Sequence, residues 1–526
     1  MLKPALIFQD HMTLQREKPV AIWGTAAPGA AVTVTVQGAS YTAEADADGN
    51  WRVAVGPLAV SFSEEVRVSD GAETVTFSDV QVGDVFLAAG QSNMEFHMRY
   101  DADFAEEKTV CANDHIRFFD YPEVSYVGQL EDADYGKNFG FWRKAAPDDL
   151  QWFSAPAYYC AKTLQKRYGI PVGIVGCNWG GTPACAWMNE ASIREGGGEA
   201  FLEDYRKAVE TLDVDAYNKQ FASIEANFHT DPFASPFSVK LMEGKTLVEI
   251  FQEVFGFTPT PEQIEAGWQP PAMGPKSENR PGGLYESMLC QVAPYGLKGV
   301  LYYQGESDGD SHPEAYATLF PALIRGFRRL WGEELPFLFV QLAPFGQWLA
   351  ISGKPYGIIR DAQQHTADTV PGTGMAVITD IGMELDIHPK KKKPVGERLA
   401  LLAENRIYGE DVLCEAPTLC AVEAEEGCVR LRFENAGDGL YLADHTPDGA
   451  ATDPHRLEGL RLFIDDTEVP ANGLQAEAAG DAVTLTSPAI RKGAVRAEIG
   501  IGDWFRVNLY NSAGLPARPA RAAAKA

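Results

Sequence analysis

Over roughly the first eighty residues, apolar and polar positions alternate in short runs: VAIWGT, AVTVTV, SYTAEA, NWRVAV, EEVRVS and ETVTFS. A period of two marks strands with one buried face, and Ala27-Pro28-Gly29 and Asp46-Ala47-Asp48-Gly49-Asn50 supply turns between them. The pattern predicts a small antiparallel β-sandwich over residues 1–81. From Val82 the pattern changes to continuous apolar runs alternating with amphipathic stretches: DVFLAAG, then SAPAYYCAKTLQKRYG, PVGIVGCNWG, LKGVLYYQG, LPFLFVQLAPF and GMAVITD. Apolar strands separated by helices predict an α/β domain over residues 82–408, a parallel sheet covered on both faces. Between about 197 and 275 the chain turns charged and helical (FLEDYRKAVETLDVDAYNKQ, GKTLVEIFQEVFG, a helix start at Thr260-Pro261-Glu262-Gln263), which predicts an inserted helical subdomain able to lid or shape a site. Short strands return after Tyr408 (CVRLRFEN, GLRLFIDD, AVTLTSP, AVRAEIGIG, WFRVNLYNS) and predict a C-terminal β-domain over 409–526. Its closing Ala/Arg tail is expected to have nothing to pack against.

Composition narrows the partners. A chain of 526 residues is too long for one core, and its formal net charge of −28 repels polyanions, so nucleic acid is excluded as a partner. No window approaches the ~18 apolar residues of a membrane span, so no membrane partner is expected. The opening MLKPALIFQDHMTLQREKPV has only a short apolar run, broken by Gln9 and Asp10, without a small-residue cleavage site. A cytoplasmic protein is therefore expected, although a trimmed secreted chain reads the same way. The eight cysteines are scattered without a CxxC pair and are expected to be reduced core residues, which leaves no thiol nucleophile and no metal site. Oligomeric state is not legible.

The chemistry gathers where strands end. DVFLAAG runs into Gln91-Ser92-Asn93-Met94, so Ser92 falls at the C-terminal edge of a parallel strand, where open α/β sheets bind ligands. Unpaired backbone N–H groups there suit a developing oxyanion. A helix cap is the ordinary alternative for such a serine. Gly180 and Gly181 follow PVGIVGCNW, Gln304, Gly305 and Glu306 follow LKGVLYY, and Asp380 to Pro389 follow GMAVIT. Paired glycines make turns and a lone His388 is commonly structural. Together, however, Ser, Gly, Gln and His on successive strand ends form the set that acyl transfer to serine needs.

These segments resemble the sialate O-acetylesterase family of the SGNH hydrolase superfamily. The resemblance is carried by GQSNM around Ser92, WGGT (Trp179 to Thr182) followed by Trp187, YQGES (Tyr303 to Ser307) and DIHPKKKKPVGERLA (Asp386 to Ala400), with FQDHMTLQREKPVAIWGTAAPG (Phe8 to Gly29) like the family's opening. It implies an SGNH-type α/β hydrolase domain, flanked by the two β-domains, that removes O-acetyl groups from sugars without a metal or cofactor. Ser92 is then the nucleophile and His388 the base; the Ser92 N–H, a glycine of the Gly180-Gly181 pair and the Gln304 side chain form the oxyanion hole. The superfamily's Asp-x-x-His spacing puts Leu385 where the acid belongs, so Asp386 is the expected partner of His388, with Asp380, Glu384 or a backbone carbonyl as alternatives. Glu286 stands where related sequences usually have asparagine.

Substrate contacts are expected from Gln91, Asn93 and Glu306, from Trp179, Trp187, Tyr302 and Tyr303 stacking on a sugar, and from Arg360 on a carboxylate, unless Arg360 pairs with Asp361 or another acid. The expected substrates are water and an O-acetylated sugar, foremost 9-O-acetylated sialic acid, with acetylated xylan or pectin fragments as the alternative and a non-catalytic carbohydrate-binding protein as the alternative of another class. An unperturbed histidine base predicts activity falling below about pH 6 to 7.

Overall fold

The computed structural model describes residues 1–132, 135–228, 231–260 and 272–524. The chain divides into two compact units, one of Met1–Tyr302 with Thr318–Phe337 and one of Tyr303–Ala317 with Leu338–Ala526.

The first unit is built on a large mixed sheet. Its central strand β1 (Thr74–Gly90) leads into the one-turn helix α1 (Ser92–Glu95). Then come β2 (Asn113–Asp120), β3 (Trp142–Ala145), helix α2 (Ala155–Tyr168), β4 (Val172–Asn178) and β5 (Gly299–Tyr303). The strand order is β3-β2-β4-β1-β5. Strand β4 runs parallel to both β1 and β2, whereas β3 is antiparallel to β2. Helix α2 starts because the Ser154 hydroxyl accepts the Ala157 N–H and Pro156 fits the first turn; it stops at Gly169, whose φ of 66° ends the helix.

The N-terminal strands join this sheet. Ser61–Ser69 pairs antiparallel with β1, Ala31–Val36 pairs with Ser61–Ser69 and with Ala39–Glu44, and Thr13–Gln15 lies parallel to β1. Val20–Thr25 and Asn50–Val55 form a separate small sheet with Lys3–Pro4. Strand β1 passes without a break through the 81/82 boundary expected from the sequence. In the stretch expected to be an insertion, helices run over Glu199–Glu210, Val214–Phe228, Pro236–Met242 and Leu247–Ile250. The helix start expected at Pro261 lies outside the described residues.

The second unit contains β6 (Phe337–Val340), helix α3 (Tyr356–Thr369), β7 (Thr373–Ala376) and helix α4 (Lys393–Arg406), with β6 and β7 adjacent in one sheet. Its C-terminal part has two four-stranded sheets around a core that includes Val429, Leu431, Leu462, Val483, Leu485 and Ile499. The terminal tail corrects the sequence reading: Ala520–Ala523 is a strand paired antiparallel with Val495–Ile499. Small side chains gave it no apolar signal, yet backbone pairing needs none. Another correction concerns the cysteines. All eight are free thiols, but Cys420 is exposed and Cys290 and Cys428 are only half-buried.

Candidate active site

Strands β1 and β4 end level with each other, with Gly90 opposite Asn178, so the turns that follow them share one sheet edge. The Trp179 N–H donates to the Gly90 carbonyl at 3.2 Å and the Asn178 amide to the Ala88 carbonyl at 3.1 Å. The N-cap of α1 is Gln91, so half-buried Ser92 is the first helical residue rather than the cap. A Cβ on Gly180 would lie 3.1 Å from the Ser92 Cβ and 3.2 Å from a carboxylate oxygen of Glu95. A side chain on this residue would crowd the serine and the Glu95 carboxylate, so glycine eases the close approach of the two turns. The Gly180 N–H donates to that Glu95 oxygen at 2.6 Å.

Glu95 carries no obvious sequence signal, since an acid in a first turn ordinarily answers the helix dipole. Here burial, the nearby Glu123 charge and, opposing them, the Gly180 N–H leave its carboxyl pushed up to about 8. Burial and then Glu95 raise Asp120, at the end of β2, to about 8, and burial raises Glu123 as well. Among the described residues no group of three His, Cys, Asp or Glu is arranged to hold a metal ion. Gln91 and Asn93 are buried beside Ser92. Trp187, 1% exposed, donates its indole N–H to the Thr182 hydroxyl at 3.0 Å, and Thr182 in turn donates to the Trp179 carbonyl at 2.8 Å. Trp187 and Tyr302 are both buried, Tyr302 stacked on Phe320.

In the second unit, Gln304 is fully buried. Its amide donates to the Asp308 carboxylate, and its side-chain carbonyl accepts the Tyr316 hydroxyl at 3.1 Å. Gly305, at φ 138°, packs where a Cβ would meet Ile359 at 2.9 Å, so this turn also requires glycine. Buried Glu306 lines a narrow cleft with Tyr303, Phe345, Tyr356 and Asp386.

His388 is 4% exposed, and its Nδ1 lies 3.5 Å from an Asp386 oxygen that also accepts the His388 backbone N–H at 2.8 Å. Lys390 contacts the other Asp386 oxygen at 2.9 Å, and the Trp348 ring stands edge-on to the imidazole at 5.2 Å. The alternative acids are placed elsewhere: Asp380 makes a bidentate pair with Arg398 (2.7 and 2.6 Å) and accepts the Tyr510 hydroxyl, while Glu384 is exposed. Burial outweighs the Asp386 contribution and pulls the His388 imidazole down to about 4. The unperturbed value assumed from the sequence is thereby corrected, because this ring stays neutral well into acid.

The basic run after His388 is solvated only in part, with Lys393 exposed and Lys391 half-buried. Lys392 is fully buried with its ammonium 5.3 Å from the Tyr303 ring centre. Arg360 is equally buried: its guanidinium donates to the Ala343 carbonyl at 3.2 Å and to the Gly502 carbonyl, and lies over the Phe505 ring. Asp361 instead lies 3.5 Å from Arg521.

Comparison with known proteins finds carbohydrate esterases. The family model described as "Carbohydrate esterase, sialic acid-specific acetylesterase" matches residues 259–401, the span that holds Gln304, Glu306, Arg360, Asp386 and His388 but neither Ser92 nor the glycine pair. Sialate O-acetylesterase of Rattus norvegicus is 27% identical over 443 residues, 77% of this chain and 73% of that protein. Its Homo sapiens counterpart is 26% identical over 470 residues, 82% of this chain and 76% of that protein. The crystal structure of a novel carbohydrate acetylesterase from Xanthomonas citri superposes with a TM-score of 0.70 at 29% identity, covering 99% of both chains. The chain is thus similar to sialate O-acetylesterases along most of its length and to a carbohydrate acetylesterase in fold. It is a carboxylic ester hydrolase of the carbohydrate esterase type, which sets aside a purely sugar-binding role. Among the described residues, no helix is long and apolar enough to cross a membrane.

Proposed function

We infer that the chain is an SGNH-type serine esterase that removes the acetyl group from an O-acetylated sugar, most directly 9-O-acetylated sialic acid, through an acetyl-serine intermediate. The observation that carries this reading is the shared edge of β1 and β4, which brings the Ser92 Cβ to 3.1 Å from the Cβ position of Gly180. The Ser92 hydroxyl attacks the acetyl carbonyl while neutral His388 takes its proton. The oxyanion is met by backbone N–H groups of Ser92 and the Gly180-Gly181 turn and by the Gln304 amide, and the sugar oxygen leaves with the proton from His388. Water, deprotonated by the same imidazole, then releases acetate and restores Ser92. Asp386, 3.5 Å from His388 Nδ1, orients the ring.

A second substrate reading, an uncharged acetylated sugar such as a xylose oligomer, is favoured by Arg360. Its guanidinium is engaged by the Ala343 and Gly502 carbonyls instead of being presented to a sialate carboxylate. Acetate release from 9-O-acetylated sialic acid and from acetylated xylose oligomers, by the native chain and by Ser92→Ala, tests both readings. Release lost in the variant supports the serine mechanism, and the preferred substrate assigns the sugar. Undiminished release by Ser92→Ala overturns the mechanism.

A further inference from the structure

Three carboxyl groups lie at the nucleophile's end of the first unit, and the reaction as written employs none of them. Glu95 sits on the same helical turn as Ser92, Asp120 closes β2, and Glu123 follows it. Glu95 touches the reaction's machinery, because its carboxyl oxygen accepts the N–H of Gly180 at 2.6 Å. That N–H is one of the groups assigned above to the oxyanion. One donor cannot serve a carboxylate and a tetrahedral oxyanion at full strength, so the two compete.

We propose that Glu95 is a positioning residue of acyl transfer: its carboxyl holds the Gly180 amide in the resting site, and it must be protonated to yield that amide to the oxyanion. The proposal rests on Ser92 being the nucleophile. A neutral carboxyl is a modest acceptor and leaves no charge beside the developing oxyanion. Once ionised, the same group binds the N–H about twice as strongly and repels the oxyanion. Apart from the Gly180 N–H, the groups that bear on Glu95 favour the neutral form. Glu123 from the segment after β2 raises it, Asp120 at the end of β2 is itself coupled to it, and Tyr100 feels its charge; Arg143 of β3 acts on Asp120, and Arg99 bears on Tyr100 and His97. Burial is the largest contribution, and the carboxyl stays protonated until about pH 8. The reaction therefore acquires an alkaline limit that a serine–histidine pair alone does not impose.

The test is kcat and KM for 4-nitrophenyl acetate, corrected for the blank, from pH 5.5 to 9.5, for the native chain, Glu95→Gln, Glu95→Asp and Ser92→Ala, with thermal melts of each. For a group titrating at about 8, native kcat falls about tenfold between pH 7 and pH 9 with KM steady, because the competition arises only in the transition state. In Glu95→Gln the fall disappears, since the amide still accepts from Gly180 but cannot ionise. Should that variant not fold, Glu95→Asp, whose shorter side chain draws back from Gly180, loses the limit as well. A native kcat flat to pH 9.5, or a fall of equal size in a folded Glu95 variant, overturns the proposal while leaving Ser92 untouched. Full activity in Ser92→Ala overturns the underlying mechanism instead.

Discussion

The neighbourhoods of Ser92 and His388 are both poor in water, yet burial drives their titrating groups in opposite directions. Around the serine it raises Glu95 from its ordinary 4.5 to about 8; around the histidine it lowers the imidazole from 6.5 to about 4. Each shift has the same cause, the penalty on a charged form removed from solvent. An acid and a base treated alike both end up neutral at pH 7, which suits a reaction whose charge should appear only in its transition state. The effects on stability have opposite slopes. Neutral Glu95 contributes stability that is complete below 4.5 and lost as pH rises through about 8, whereas neutral His388 contributes stability that is complete above 6.5 and lost as pH falls through about 4.

The comparison breaks most decisively at the serine. Ser92→Ala is expected to lower acetate release by about 10⁴-fold or more with an unchanged melt. Truncating the amide in Gln304→Ala should lower kcat by ~10²–10³, as loss of one oxyanion donor does, with a lower melting temperature because Asp308 and Tyr316 lose a buried partner. On the histidine side, kcat/KM of the native enzyme should hold down to about pH 4 instead of bending at 6.5. Asp386→Asn should move that acid bend lower still, because the Asp386 charge opposes the effect of burial on His388. At 3.5 Å the loss of rate should be about tenfold, well below the ~10⁴ of a fully hydrogen-bonded triad aspartate. An acid bend near pH 6.5 would mean that His388 is far wetter than its surroundings imply. The smallest effect is expected at Arg360. Arg360→Met should lower the melting temperature by a few degrees and change KM for acetylated sialic acid and for acetylated xylose oligomers by the same factor, because it leaves carbonyls unpaired instead of a substrate unbound.

Strand ends were legible in the sequence because apolar runs closed by small or polar residues have few other readings. DVFLAAG before Ser92 and PVGIVGCN before the glycine pair are both strands in the structure. What stayed hidden depends on partners far along the chain. The sequence offers Arg360 to a carboxylate ligand or a nearby acid, but its guanidinium donates to the carbonyl of Gly502, 142 residues on. Nothing local to Glu95 says that the Gly180 N–H, 85 residues later, will meet its carboxyl. Lys390 is drawn in by Asp386 four residues earlier. The residue pattern of β1 divides it in two, alternating in ETVTFS and continuous in DVFLAAG, while its backbone does not break.

That uninterrupted strand bears on how such a protein can be rearranged. Seventeen residues in one extended run span roughly 55 Å at the usual rise per residue, and the same ribbon pairs with the N-terminal hairpins at one end and carries Gly90 into the Ser92 turn at the other. Shuffling of coding segments, by nature or by an engineer, succeeds where few hydrogen bonds cross the seam. A seam at 81/82 would sever a ladder. The N-terminal strands and the nucleophile turn are therefore expected to be inherited together, and a catalytic fragment trimmed to begin at Val82 would start with a frayed edge under its own nucleophile.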